Sequence, residues 1–296
     1  PMMLFDAHNH LQDERLRPHE AAIVSASQQA GVSKMVVNGS CEADWQDVLD
    51  LAKRYRSLVI PSLGLHPWYI SERSDNWKTR LVELLDGQPA AMGEIGLDKW
   101  ILERPRGPFK TPEHPASLAG QQEAFVFQLR LAAERDLPVS IHCLKAWGPL
   151  LQVLKQEPRP NCGFVLHSFG GPKEMIGDLA ELGAYFTLPG YFMHERKQRQ
   201  REAFRHVPGE RLLIETDAPD QLLPDDRQRF PLKDKAGKPI NHPANLRTVY
   251  EFAAELRGVS LEILSAQVER NFTRLFQRLL PKTLLPSKLP PGQKPQ

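Results

Sequence analysis

Three cysteines in 296 residues, Cys41, Cys143 and Cys162, are too few and too scattered for a disulfide framework, and their odd number leaves one without a mate. Reduced thiols in cytosol fit this usage. No stretch approaches the ~18 uninterrupted apolar residues of a membrane span. The first residues also lack the basic stretch and apolar run of a secretory signal, so a soluble, cytoplasmic protein is expected. An excess of one charge is missing too. The 38 Lys and Arg stand against 36 Asp and Glu, and a net +2 is too small to draw nucleic acid by long-range field, so any affinity for phosphates has to be local. Glycine is absent where an open doubly wound sheet needs its phosphate turn, after the first strand; histidine stands there instead.

What is present is an alternation. Eight short runs rich in β-branched and apolar residues read as strands: Met3–Ala7, Lys34–Asn38, Val59–Leu65, Ala90–Ile95, Pro138–His142, Gly163–Leu166, Ala184–Thr187 and Leu212–Glu215. Between them lie segments with apolar residues at three- and four-residue intervals, such as Glu20–Ala30, Ala43–Tyr55, Asn76–Leu85 and Leu118–Arg135. Eight βα units predict an α/β fold, a closed (β/α)8 TIM barrel over residues 1–280 with two closing helices near Pro243–Arg257 and Ser260–Leu279. The proline-rich run 281–296 has no periodicity and reads as a disordered tail. Two long connections, Lys99–Ala116 and Ala218–Asn241, follow strands and are expected over the C-terminal mouth of the barrel, where substrate sites form.

Side chains able to ligate metals fall repeatedly at that same end. His8 and His10, two apart on one strand, face the same side, with Asp6 behind them. A lone His-x-His is weak evidence, since surface and core histidines produce it often. Glu94 closes the fourth strand, however, His142 the fifth, His167 the sixth and Asp217 the eighth. Structural histidines have no reason to gather at one end of the strands, whereas catalytic residues of this fold do. Four imidazoles and two carboxylates offset half the charge of two divalent ions, leaving a site that attracts a phosphodiester or another anionic ester. Glu94 is the natural bridge, having an oxygen for each ion. Asp217 is a ligand and the base that receives a proton from the attacking water. The donor set favours zinc or manganese, with magnesium at a weaker second position.

These residues sit in a series of short motifs: Asp6-Ala-His8-Asn-His10, Gly64-Leu-His66-Pro67, Gly93-Glu94-Ile-Gly96-Leu-Asp98, Ile141-His142-Cys143, Leu166-His167-Ser-Phe169-Gly170 and Glu215-Thr216-Asp217-Ala-Pro219. Together, in order from about residue 4 to about residue 275, they resemble the TatD family of metal-dependent deoxyribonucleases in the amidohydrolase superfamily. The resemblance implies a TIM barrel, a divalent-metal-dependent 3′ to 5′ exonuclease or related DNase activity, and the same six ligands. The chain departs from the family pattern where His-x-Arg usually follows the fifth strand, having Leu144 and then Lys145. The usual Asn-Glu-Pro is Asn241-His242-Pro243. Lys145 or Arg196 would then have to grip a phosphate, the lysine as a point charge rather than a bidentate fork.

Several residues carry two readings. His66 is a phosphate contact or a packed, capping histidine. Arg196 and Lys197 steer a nucleic-acid backbone or begin a solvated helix. Trp68, Tyr69, Trp100, Tyr191 and Phe192 stack unpaired bases or pack loops. Cys143, next to His142, points to the opposite face and is not a nucleophile. Glu215 supports a neighbouring ligand from behind or forms a buried ion pair. The expected substrate is single-stranded DNA or a short nucleic acid, with no membrane and no obligate protein partner. A metal-dependent esterase, lactonase or amidohydrolase is the alternative, although such sites often bridge their metals with a carboxylated lysine. A non-catalytic scaffold is the third reading, and the intact ligand set argues against it.

Overall fold

The computed structural model describes residues 2–103 and 117–282. Most of the first long connection and nearly all of the proline-rich tail therefore lie outside the described residues. Eight parallel strands form one sheet in sequential order: β1 (Leu4–Asn9), β2 (Val32–Asn38), β3 (Val59–Leu63), β4 (Ala91–Asp98), β5 (Val139–Leu144), β6 (Phe164–Leu166), β7 (Ala184–Pro189) and β8 (Leu212–Glu215). The seam between last and first strands is stitched just beyond β8, where Asp217 N donates to His8 O at 2.9 Å and His10 N to Ala218 O at 2.8 Å. The sheet is a TIM barrel. Among the described residues no helix is long and apolar enough to cross a membrane.

Helices α1 (Glu20–Gln29), α2 (Trp45–Arg54), α3 (Trp77–Gly87), α4 (Leu118–Arg135), α5 (Trp147–Gln156), α6 (Ile176–Glu181) and α7 (Gln198–Arg205) fill the connections. Two more, α8 (Leu246–Arg257) and α9 (Leu261–Phe276), close the barrel. Helix α9 starts where the Ser260 side chain accepts from Ile263 N, and buries Leu264, Val268, Phe272 and Leu275 along one face. Phe272 packs on Phe5 of β1 with ring centroids 4.8 Å apart, and Asn271 Nδ2 donates to the carbonyl of Leu212 in β8. From α8, the Tyr250 hydroxyl accepts from Phe5 N and donates to Phe5 O. The closing helices thus grip both sides of the seam. Truncating Phe272 to alanine there costs about 3–5 kcal/mol.

Only β8 has both of its expected bounds; the other seven strands shift by one to three residues at one end or both, and the shifts at β3, β4 and β5 bear on the site. β3 stops at Leu63, and just beyond it Gly64 runs so close to β4 that a Cβ would lie 2.7 Å from the Gly93 carbonyl carbon. β4 runs to Asp98 rather than Ile95: Gly96 marks a close approach to β5, where a Cβ would collide with the His142 carbonyl, and not the end of the strand. β5 runs on to Leu144 beside it. The connection Ala218–Asn241 contains a short antiparallel ribbon, β9 (Leu232–Lys233) with β10 (Pro239–Ile240), around a turn at Asp234 and Gly237.

Candidate metal centre

β1 and β4 carry the first donors, and both strands are bulged there. Pairing of β1 with β2 slips one residue between Asp6 and Asn9, and that of β4 with β5 slips between Met92 and Ile95. A bulge re-aims the side chain it carries; here the two bulges turn His8 and Glu94 toward the barrel axis. After β8, Asp217 has φ 53°, a left-handed backbone that directs its carboxylate inward, and Ser168, after His167, has φ 44°. The six expected donors therefore meet.

Glu94 is at the middle. Its Oε2 lies 3.3 Å from His8 Nε2 and 3.2 Å from His10 Nε2, and the same two nitrogens lie 3.6 and 3.5 Å from Asp217 Oδ1. Its Oε1 lies 3.1 Å from His142 Nδ1, 3.3 Å from His167 Nε2 and 3.2 Å from His66 Nε2. One carboxylate thus divides the donors into two halves. In three groups, His8–His10–Asp217, His8–Glu94–His167 across the two halves, and His66–Glu94–His142, the donor atoms all lie within 4.8 Å of one another. Donors around one ion at bonds of about 2.1 Å span at most roughly 4.2 Å, so modest side-chain adjustment closes such a group on a cation.

Electrostatics follow from burial among mixed charges. Burial by itself would raise the Glu94 carboxyl, but His66, His167 and His8 around it hold it well below the usual range. Burial likewise opposes the charge on His142 and His167, yet the carboxylates of Asp98 and Glu94 push the former up to about 10, and Glu215 and Glu94 push the latter up to about 9. Burial wins at His66, which falls to about 4. Its neutral ring accepts from Trp68 N at Nδ1, so the remaining proton sits on Nε2 and is donated to Glu94. His66 is both the capping histidine and a donor aimed into the site, and that tautomer does not ligate a cation through Nε2.

Residues 5–277 match the TatD related DNase family. The chain belongs to that family. It is 32% identical over 275 residues to a protein of Erwinia tasmaniensis named 3'-5' ssDNA/RNA exonuclease TatD, covering 92% of this chain and 99% of that one. It is 31% identical over 278 residues to an Escherichia coli K12 protein named uncharacterized metal-dependent hydrolase YcfH, covering 93% and 96% of the two chains. Among solved structures, YJJV, a TatD homolog from Escherichia coli K12, matches with a TM-score of 0.79 at 30% identity over 93% of this chain and 98% of that one. A lactonase from Listeria monocytogenes, at 13% identity and a TM-score of 0.55, shares the fold alone. This TatD-family chain is a metal-dependent hydrolase.

Behind the donors of this TatD barrel stand groups that hold them. Glu215 accepts from Ser168 N and lies 3.3 Å from His167 Nδ1. Asp6 is fully buried and does not reach the donors' facing nitrogens; it accepts from Thr216 N, Thr216 Oγ1, Asn9 Nδ2 and His8 N, tying the end of β8 to β1. Burial pushes the Asp6 carboxyl up to about 7 despite these donors. Three supporting groups had no role in the sequence reading: Asp98 Oδ2, 2.8 Å from His142 Nε2; Ser140 Oγ, 2.7 Å from His8 Nδ1; and the Asn38 carbonyl, 2.7 Å from His10 Nδ1. Period-two spacing carried a signal for two of them, because Asp98 follows Glu94 by four residues and Ser140 precedes His142 by two.

The rim differs. Lys145 is exposed and its Nζ lies 2.7 Å from Glu103 Oε2. Arg196 lies over the Tyr191 ring, 5.1 Å from its centroid, and donates to the Tyr191 hydroxyl. Neither cation contacts the central donors in these interactions. Trp68 and Trp100 stack with centroids 5.8 Å apart. Burial pushes the Cys143 thiol up, which disfavours the thiolate a nucleophile needs.

Proposed function

We propose that the chain hydrolyses phosphodiester bonds of single-stranded DNA or short nucleic acid from the 3′ end, using two divalent cations on either side of Glu94. The observation that carries this reading is the division of donors between the two oxygens of that one carboxylate. Oε2 with His8, His10 and Asp217 would hold one ion, and Oε1 with His142 and His167 the other. Imidazole with carboxylate suits zinc or manganese, with magnesium at a weaker position. When bound, such ions supply Lewis acidity toward water and toward the phosphodiester oxygens.

The protein's own groups do the rest. The second oxygen of Asp217 takes the proton of the attacking water. His66 Nε2–H, neutral at physiological pH, donates to a phosphate oxygen without a proton transfer of its own. Exposed Arg196 and half-buried Lys197, both over the Tyr191 ring, draw the trailing backbone, a role sensitive to salt. The exonuclease reading is further supported by the Erwinia relative, which is named a 3'-5' ssDNA/RNA exonuclease.

The test is degradation of 3′- and 5′-end-labelled single-stranded DNA by chelator-stripped protein, before and after returning zinc, manganese or magnesium, beside a panel of carboxylic esters and lactones. Cation-dependent release of mononucleotides from the 3′ end is expected. Equal rates without any cation, or a large preference for esters, would contradict the reading.

A further inference from the structure

The two halves of the donor cluster differ behind their rings. In the His8–His10–Asp217 half the outward nitrogens meet neutral groups, the Ser140 hydroxyl and the Asn38 carbonyl, each at 2.7 Å. In the other half they meet carboxylates: His142 Nε2 lies 2.8 Å from Asp98 Oδ2, and His167 Nδ1 lies 3.3 Å from Glu215 Oε1. The first half holds Asp217 in addition to its share of Glu94, whereas the second has imidazoles and its share of Glu94. A ring that donates N–H to a carboxylate becomes a better donor on its other nitrogen. Negative charge missing beside the second position is thus supplied from behind it.

Asp98 is the better anchored of the two backing acids. Its side chain also accepts from Trp68 Nε1 at 2.6 Å and from Ile101 N at 3.0 Å. Its backbone is clamped by Gln121, whose Oε1 accepts from Asp98 N at 2.7 Å and whose Nε2 donates to Asp98 O at 2.9 Å. With all of these bonds made, the carboxylate has little freedom, and His142 is held with Nδ1 rather than Nε2 toward Glu94.

We propose that Asp98, oriented by Trp68, is a positioning residue that fixes which nitrogen of His142 faces Glu94 and thereby sets the cation affinity of the Glu94 Oε1 half, leaving the other half untouched. The proposal rests on the two-cation reading above. Its test is isothermal titration calorimetry of manganese into chelator-stripped full-length protein, with elemental analysis of bound metal, for wild type, Asp98→Asn and Trp68→Phe. Asp98→Asn is expected to weaken one of two equivalents about 10- to 100-fold and to leave the other unchanged. Trp68→Phe, which removes the indole N–H from Asp98, is expected to weaken the same equivalent by a smaller factor, and it carries the test if Asp98→Asn does not fold. Parallel weakening of both equivalents would mark general loss of structure and overturn the proposal, as would an unchanged pair in the variants. A wild-type protein that takes up fewer than two equivalents would instead sink the two-cation reading, and the proposal with it.

Discussion

The floor of the barrel mouth and its rim obey different rules. On the floor, His8, His142 and His167 come from different strands yet each reaches an oxygen of Glu94 within 3.1 to 3.3 Å, with Asp217 3.6 Å from His8; all are buried or nearly so, and the histidines are held from behind. On the rim, Lys145 and Arg196 are exposed and spend their contacts on local partners, Glu103 and Tyr191. Packing dictates the floor, so a change there propagates to every donor. Rim side chains are free to re-pair when a polyanion arrives, and single changes there have small consequences.

The largest effect expected is that of Glu94→Gln. It removes a charge shared by both halves, and elemental analysis should find neither cation retained, with no detectable hydrolysis of single-stranded DNA. Retention of both ions would break the contrast at its centre. Asp217→Asn should keep the fold and lower kcat by about 10²- to 10⁴-fold through loss of the proton acceptor, with KM little changed; steady-state kinetics on a labelled oligonucleotide decides.

The floor should also couple cation binding to pH. In the cation-free protein His142 and His167 are raised above the ordinary imidazole value of 6.5, to about 10 and about 9. Near pH 7 both therefore hold protons that a cation must expel, and observed affinity should rise about tenfold per pH unit for each proton displaced. Calorimetry in buffers of different ionisation enthalpy measures the release directly. The same shifts stabilise the cation-free fold fully below pH 6.5, and that contribution is lost as pH rises through 9 and 10. Thermal melts of stripped protein should lose midpoint temperature over that upper range, and a flat profile would contradict the assignment.

Rim changes come last. Arg196→Ala should raise KM a few-fold and reduce the slope of log affinity against log salt by about 1, without moving kcat. Lys145→Ala should do least, within about 0.5 kcal/mol in stability, because Glu103 already neutralises it. A large kcat defect in Lys145→Ala would erase the distinction between floor and rim.

That distinction also explains what the sequence disclosed. Strand order and the position of His8, His10, Glu94, His142, His167 and Asp217 at the C-terminal strand ends were enough to foresee the barrel and one shared mouth, whereas the bulges in β1 and β4 and the left-handed backbone at Asp217 that complete the convergence leave no periodic trace. The helix Leu118–Arg135 has the ends expected from its apolar spacing, and in the structure Ser117 caps it. Asp98 lies beyond the expected strand end at Ile95, because Gly96 marks a strand pressed against its neighbour and β4 continues past it. The supporting Asn38 carbonyl left no trace, because a backbone acceptor is independent of residue type. Of the two readings of His66, the capping one is seen in its bond from Trp68 N, and the same ring presents Nε2 to Glu94. Rim contacts were the least legible, because the pairing of Lys145 with Glu103 depends on where two loops approach and not on any periodic pattern.

Anomalous diffraction from crystals grown with manganese or zinc addresses the central claim most directly. Two peaks about 3.5 to 4 Å apart, one on each oxygen of Glu94, are expected. A single peak, or peaks that do not touch Glu94, would contradict the account.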